Sequence, residues 1–306
     1  MSSSNDDPSD SDSMYGWRIK SVKSALQSRG LDTGDLSVDD LTSLGHLDQY
    51  HYYGTAACDE AIDVLGLNSD RRVLDIGSGI GGPARYLADK TGCTVHGVEM
   101  KDDLVAMSRK LTDRVGLDDH VTFTNDDAAN IEFSTDRYDH AVMWLVLIHI
   151  DNPQALLESL TTALHQQGTI LIEAIANNGL SSTQQDILRQ TIDASDVLTE
   201  SELVEYCSEA GFVDIKTCDL TDAWTNWTQH RYTLFTENQE PFVDLHGEQI
   251  YQQRREVYRT MADLFSDNAL RGVRLTARVS DDTSLELSSR QQTSLQKYSA
   301  DLLLEM

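Results

Sequence analysis

The chain has 306 residues, enough for one large domain with an elaboration, and its 24 basic and 51 acidic residues give a formal net charge of −27. A field of that sign repels nucleic-acid phosphates and anionic membranes, so neither is expected as a partner. Four scattered cysteines (Cys58, Cys93, Cys207 and Cys218), with no C-x-x-C pair, suggest neither a zinc site nor a disulfide framework and fit a reducing, cytoplasmic setting.

Residues 1–13 are rich in Ser and Asp, lack the basic and apolar blocks of a signal peptide, and predict a disordered acidic tail. No apolar run in the chain is long enough to span a bilayer. In the segment 14–55, Ile19, Val22 and Leu26 share one helical face, and Ser37 with Asp40 three residues on opens a second short helix. Both lead into Leu47-Asp48-Gln49-Tyr50-His51-Tyr52-Tyr53-Gly54, a crowded polar-aromatic stretch that reads as an aromatic plug on a sheet edge or as a lid over a ligand.

The expected core, 56–220, begins with a helix over Ala56–Leu65 and a buried strand over Arg71–Ile76. Gly77, Gly79 and Gly82 then fit G-x-G-x-x-G, and Pro83 opens a helix over Ala84–Lys90. Nicotinamide and flavin enzymes share that pattern. Asp75 separates them: a carboxylate just before the glycines sits badly beside a pyrophosphate but suits an ammonium and a sulfonium, both carried by S-adenosylmethionine. Thr94–Glu99 is the second strand, and Glu99 lies 22 residues after Gly77, near the spacing at which an acid receives ribose hydroxyls.

Leu104, Met107 and Leu111 mark the next helix, and Val121–Thr124 the third strand. The apolar run from Tyr138 to Ile150 carries a fourth strand buried on both faces, and Asn152-Pro153 starts a helix. Gly168–Glu173 is the fifth strand, Thr199 with Glu202 caps a helix ending near Gly211, and Val213–Cys218 is the sixth. Residues 221–269, aromatic-rich and ending in a helix-like run through Leu245, Val257, Met261 and Phe265, form an insertion expected to cap the acceptor pocket. The last strand, Gly272–Val279, lies in 270–280, and the tail 281–306 ends in a docked or frayed helix at Leu302–Leu304. Arg231, Arg254, Arg255, Arg259, Arg271 and Arg274 hint at an anionic acceptor group, with ordinary surface ion pairing as the alternative for most of them.

The run VLDIGSGIGGPARYLA, Val73 to Ala88, resembles motif I of class I S-adenosylmethionine-dependent methyltransferases. The nearest flavour is the small-molecule group with phosphoethanolamine and glycine/sarcosine/dimethylglycine N-methyltransferases, and the likeness covers about residues 47–280. It implies an α/β, doubly wound, seven-stranded Rossmann-like sheet with a helical cap inserted before the last strand. It further implies donor binding by Asp75, Gly77, Ser78, Gly79, Glu99, Met100, Asp127, Ala128 and Trp144, with Asp127 on the adenine amino group, Asp126 as its rival, and no metal. In the phosphoethanolamine enzymes a histidine in an Ile-Leu-His-Leu step works with a tyrosine of a Gln-Tyr segment. Ile148-His149-Ile150 and Gln49-Tyr50 match those positions, so His149 and Tyr50 are the expected catalytic pair, and Tyr50, His51, Tyr52, Trp224 and Arg231 the expected acceptor contacts.

The reading is therefore methyl transfer from S-adenosylmethionine to a small molecule, most simply an amine. O-, C- or S-methylation on the same scaffold stands beside it. A nicotinamide-dependent oxidoreductase is disfavoured by Asp75 and by the lack of a Tyr-x-x-x-Lys pair, and a non-catalytic cofactor sensor by the intact motif. The oligomeric state is open.

Overall fold

Short apolar and β-branched runs between turn residues build the strands, and a computed structural model of the chain describes residues 16–131 and 133–281. The expected tail 1–13 and, past Asp281, the C-terminal run with Leu302–Leu304 lie outside the described residues. In chain order come α1 (Gly16–Ser28), α2 (Val38–Thr42), α3 (Thr55–Leu65), β1 (Arg72–Ile76), α4 (Gly82–Thr91), β2 (Thr94–Glu99), α5 (Asp102–Arg114) and β3 (Val121–Asn125). Then follow β4 (Tyr138–Trp144), α6 (Pro153–Ala163), β5 (Leu164–Asn177), α7 (Ser182–Ile192), α8 (Glu200–Glu209), β6 (Phe212–Asp219), α9 (Thr221–Glu237), α10 (Gln239–His246), α11 (Glu248–Ser266) and β7 (Leu270–Val279).

The seven strands form one sheet in the order β3-β2-β1-β4-β5-β7-β6, parallel except for β7, which runs antiparallel to both its neighbours. The doubly wound α/β sheet with helices inserted before its last strand is thus the fold of this chain. Alternation along the strands divides the core into two layers. Leu74, Ile76, Ala141, Met143, Ile170 and Ile172 pack with α6 and α8, whereas Val73, Val142 and Leu171 pack with α3 and α4. The chain reverses direction across the sheet between β1 and β4, and a crevice opens beyond the carboxyl ends of such strands.

Capping boxes at Ser37/Asp40 and Thr199/Glu202 form as their spacing predicts. Three local features differ from the sequence reading. β5 is longer than Gly168–Glu173, because it begins directly after α6 and passes an irregularity, with Gln167 at φ 66°, before it pairs regularly. A helix unforeseen in the sequence, α7, starts from a third capping box, Ser181 with Gln184. The 221–269 insertion is three helices, interrupted at Gly247, whose φ of 85° and ψ of 160° end α10 and start α11.

Candidate functional site

The glycine turn at the end of β1 brings backbone close to the crevice. Gly77 and Gly79 hold φ of 70° and 56°, and a Cβ on Gly77 would sit 2.4 Å from Val146 Cγ2. The amides of Gly77 and Ser78 both donate to Val98 O, at 2.8 and 3.1 Å, so the turn is tied to β2. Around this turn lies a cavity of about 850 Å³. It reaches from the ends of β1, β2 and β4 to α9 and α11, and its walls include the Tyr50 stretch, the loop after β4 and residues 192–196.

Asp75 is fully buried, both its carboxylate oxygens lack a hydrogen-bond partner among the described residues, and it lines the cavity. Burial, reinforced by Glu99, pushes its pKa up to about 8. Such an orphaned carboxylate is a ready partner for a cationic ligand group. Glu99 closes β2, with one oxygen accepting from Gly79 N at 3.0 Å and the other from Lys101 N at 2.9 Å. Burial raises the Glu99 pKa while these amides pull it down. Ser78 Oγ and Trp144 Nε1 are buried without partners among the described residues, and Met100, 58% exposed, forms the outer lip. Asp127 and Ala128 line the wall after β3, but the Asp127 oxygens already accept from Ala129 N and Asn130 Nδ2. Asp126 lines the same wall.

On the other side of the cavity, His149 ends a short 3₁₀ turn after β4, and its Nδ1 lies 3.3 Å from Asp193 O. A carbonyl only accepts, so Nδ1 carries the proton and Nε2 is the basic nitrogen. Burial lowers the His149 pKa, partly offset by Asp193 O. His51 makes the analogous bond through Nε2 to Gly54 O at 3.0 Å, its ring lies 4.8 Å from Trp144, and burial brings it to about 4. Tyr50 stands under the Arg18 guanidinium at 4.6 Å and against the His46 ring at 4.5 Å. Tyr52 stacks on Trp227 at 4.4 Å. Leu145, at φ 59°, takes a left-handed conformation costly for a branched side chain, at the cavity edge of β4.

Every residue expected at the site lines this cavity except Trp224. Trp224 is 1% exposed and packs against Gly272 of β7, whose missing side chain makes room for the indole. Trp227, three residues on, takes the cavity-facing place. Of the six arginines singled out, Arg259, Arg271 and Arg274 are ion-paired with carboxylates. Arg231 and Arg254 are different. Both line the cavity, neither has a carboxylate within ion-pair distance among the described residues, and Arg231 Nε and Arg254 Nη1 are buried without partners. Arg231 Nη2 donates to Tyr258 Oη at 3.3 Å, and Arg254 lies over Trp17 at 5.9 Å. Sequence reasoning missed His46, Arg18, Tyr258 and the 192–196 wall. His46 stands only four residues before Tyr50, a nearness that would have drawn it into the cluster.

A methyltransferase-domain family model matches residues 50–217, more than half of the chain. A phosphoethanolamine N-methyltransferase of Plasmodium falciparum is 25% identical over 200 residues, 64% of this chain and 73% of that protein. The wheat (Triticum aestivum) phosphoethanolamine N-methyltransferase 1 is 25% identical over 187 residues, 60% of this chain but only 36% of the relative. Among solved structures, Haemonchus contortus phosphoethanolamine N-methyltransferase 2 with phosphomonomethylethanolamine and S-adenosylhomocysteine aligns at a TM-score of 0.70 and 20% identity, covering 80% of this chain and 61% of that one. A Galdieria sulphuraria protein assigned as a sarcosine dimethylglycine methyltransferase aligns at 0.69 and 17% identity, covering 88% and 100%.

Proposed function

Because this chain belongs to the methyltransferase-domain family and S-adenosylmethionine is its methyl donor, we propose that it methylates the amine of a small molecule that also bears an anionic group. The acceptor class is that of phosphoethanolamine or of glycine, sarcosine and dimethylglycine. One observation carries this reading: Arg231 and Arg254, without carboxylate partners among the described residues, share a cavity with the buried Asp75 carboxylate, which is likewise unpartnered there. The two arginines suit an anion, held by guanidinium forks, and the carboxylate a cation.

In this reading Asp75 holds the donor's cationic amino-acid end, Glu99 its ribose hydroxyls, and Gly77-Ser78-Gly79 the backbone approach between them. Met100, Asp127, Ala128 and Trp144 wall the adenine side. The donor supplies a methyl carbon made electrophilic by its cationic sulfur. The chain's own residues must then deliver an amine with its lone pair free. His149, neutral because it is buried, takes the amine proton at Nε2, and the Tyr50 hydroxyl orients the nitrogen. Arg231 and Arg254 grip the anionic end, and His51, Tyr52 and Trp227 shape the space between. Residues 14–55, with α1 and α2, act as a lid and α9–α11 as a cap, and both exclude water from the transfer.

The test offers S-adenosylmethionine with phosphoethanolamine, glycine, sarcosine, dimethylglycine and, as the uncharged-end control, ethanolamine, with methylated products read by mass spectrometry. Turnover of an anionic amine well above ethanolamine is expected, and equal turnover of both would sink the arginine argument. With that acceptor, His149→Ala and Tyr50→Phe should each lower single-turnover rates by ~10²-fold while S-adenosylhomocysteine binding holds. Wild-type rates in both would demote them to lining.

A further inference from the structure

The stretch carrying His46, Tyr50, His51 and Tyr52 contains one 3₁₀ turn, Gly45–Leu47, and is otherwise irregular, so something else must hold it in place. What holds it is buried charge. Asp48 and Arg85 are each 1% exposed, and Arg85 Nη2 donates to Asp48 Oδ1 at 2.7 Å. Arg85 stands one turn into α4, and its other terminal nitrogen, Nη1, donates to Ile80 O at 2.6 Å inside the glycine turn itself. The second Asp48 oxygen accepts from Gln49 Nε2 at 2.8 Å, and Asp48 O accepts from Arg18 Nη2 at 3.0 Å. The backbones touch as well. A Cβ on Gly82 would come 2.1 Å from Asp48 O, so residue 48 lies directly on the first turn of α4.

We propose that the Asp48–Arg85 pair is a positioning device that clamps the Tyr50–Tyr52 stretch onto the donor's glycine turn, so that the acceptor wall is set from the donor motif. The inference deepens the methyl-transfer reading above and rests on it for the meaning of turnover, though not for the clamp. Neither residue lines the cavity, so neither acts on a ligand directly. They act through Tyr50 and His51, two and three residues after Asp48, on one side, and the glycine turn on the other. A misplacement of about 1 Å in a positioning group can cost on the order of 10² in rate. The clamp should therefore show in turnover and in local order, and little in donor affinity.

Removing one partner alone leaves a buried charge unpaired and endangers folding, whereas replacing both by apolar groups of similar size is often neutral. The informative protein is thus the full chain with Asp48→Leu and Arg85→Met together, with Arg85→Lys as the conservative variant. Three quantities are measured: amide hydrogen exchange over residues 45–54, the Kd for S-adenosylhomocysteine, and kcat with the wild-type acceptor. In the double variant we expect exchange over 45–54 to quicken at least tenfold, Kd to stay within threefold, and kcat to fall at least tenfold. Arg85→Lys should keep slow exchange and recover most of kcat. Wild-type exchange and kcat in the double variant would overturn the proposal, as would a Kd that weakens in step with kcat. Variants that all fail to fold would assign the pair to stability and overturn it too. A wild-type protein that methylates no amine would remove the acceptor reading, while the exchange and Kd arms would still judge the clamp.

Discussion

At Asp75, burial and the nearby Glu99 leave a carboxylate whose pKa of about 8 keeps it largely protonated at neutral pH. A cationic ligand group needs the ionised form, so in the proposed reading donor binding expels that proton below pH 8. S-adenosylhomocysteine affinity should therefore strengthen between pH 6 and 8, by nearly tenfold per unit at the lower end, and Asp75→Asn should flatten that slope while weakening binding. A pH-independent wild-type Kd across this window would contradict the assignment. The same shift has a stability sign. The folded pKa lies above the ordinary aspartate value of 3.8, so the contribution is fully present below about pH 4 and is lost as pH rises through 8. Thermal melts at pH 8 should accordingly show Asp75→Asn more stable than wild type, and a lower Tm would mean that the carboxylate has an ionic partner in the folded protein.

Arg231 on α9 and Arg254 on α11 face one cavity because the two helices pack against each other and against β7. Truncating either to alanine removes a charged hydrogen-bonding group, a loss typically worth about 1.5–3 kcal/mol, or roughly tenfold to hundredfold in KM for the acceptor. Donor affinity should not follow, since the glycine turn lies on other elements. An unchanged acceptor KM in both variants would place the anion elsewhere. The physics that made elements legible in the sequence was local. Apolar and β-branched runs gave β1 to β3 within a residue and placed β4 inside the longer run 138–150, and Ser37 and Thr199 announced their helices through side chains only three residues away. What escaped depended on distant partners. Trp224 and Trp227 look equivalent in sequence, and only Gly272, about fifty residues later, decides which indole goes into the core. Arg231 and Arg254 could not be sorted from Arg259, Arg271 and Arg274 until the carboxylates of other elements were in place. The glycine-turn side of the cavity was readable because its residues sit at strand ends in fixed order, whereas the opposite wall is assembled from helices far apart in the chain.

Over the whole molecule, 51 acidic residues against 24 basic ones mean that most carboxylates have no cation to pair with, and folding gathers them onto one surface. Their mutual repulsion falls less heavily on the expanded unfolded chain, so it opposes folding. Salt weakens that repulsion, since the screening length drops from about 10 Å at 0.1 M to about 3 Å at 1 M. It also weakens attractive pairs, but the exposed ones, such as Arg189 with Asp186 and Arg259 with Glu256, are already largely screened by water and contribute little. The buried Asp48–Arg85 pair is shielded from bulk ions. Repulsion is therefore the larger of the two screened quantities, and Tm should climb as NaCl is raised from 0.1 to 1 M. Sodium chloride is the right probe because sulfate also strengthens apolar burial and would confuse the two effects. The control is a variant in which several exposed, unpaired carboxylates are replaced by Gln or Asn. It should melt higher than wild type at 0.1 M and gain less from added salt. A Tm that stays flat or falls with NaCl, or a neutralised variant that gains as much as wild type, would show that paired charges dominate this surface despite its net charge of −27.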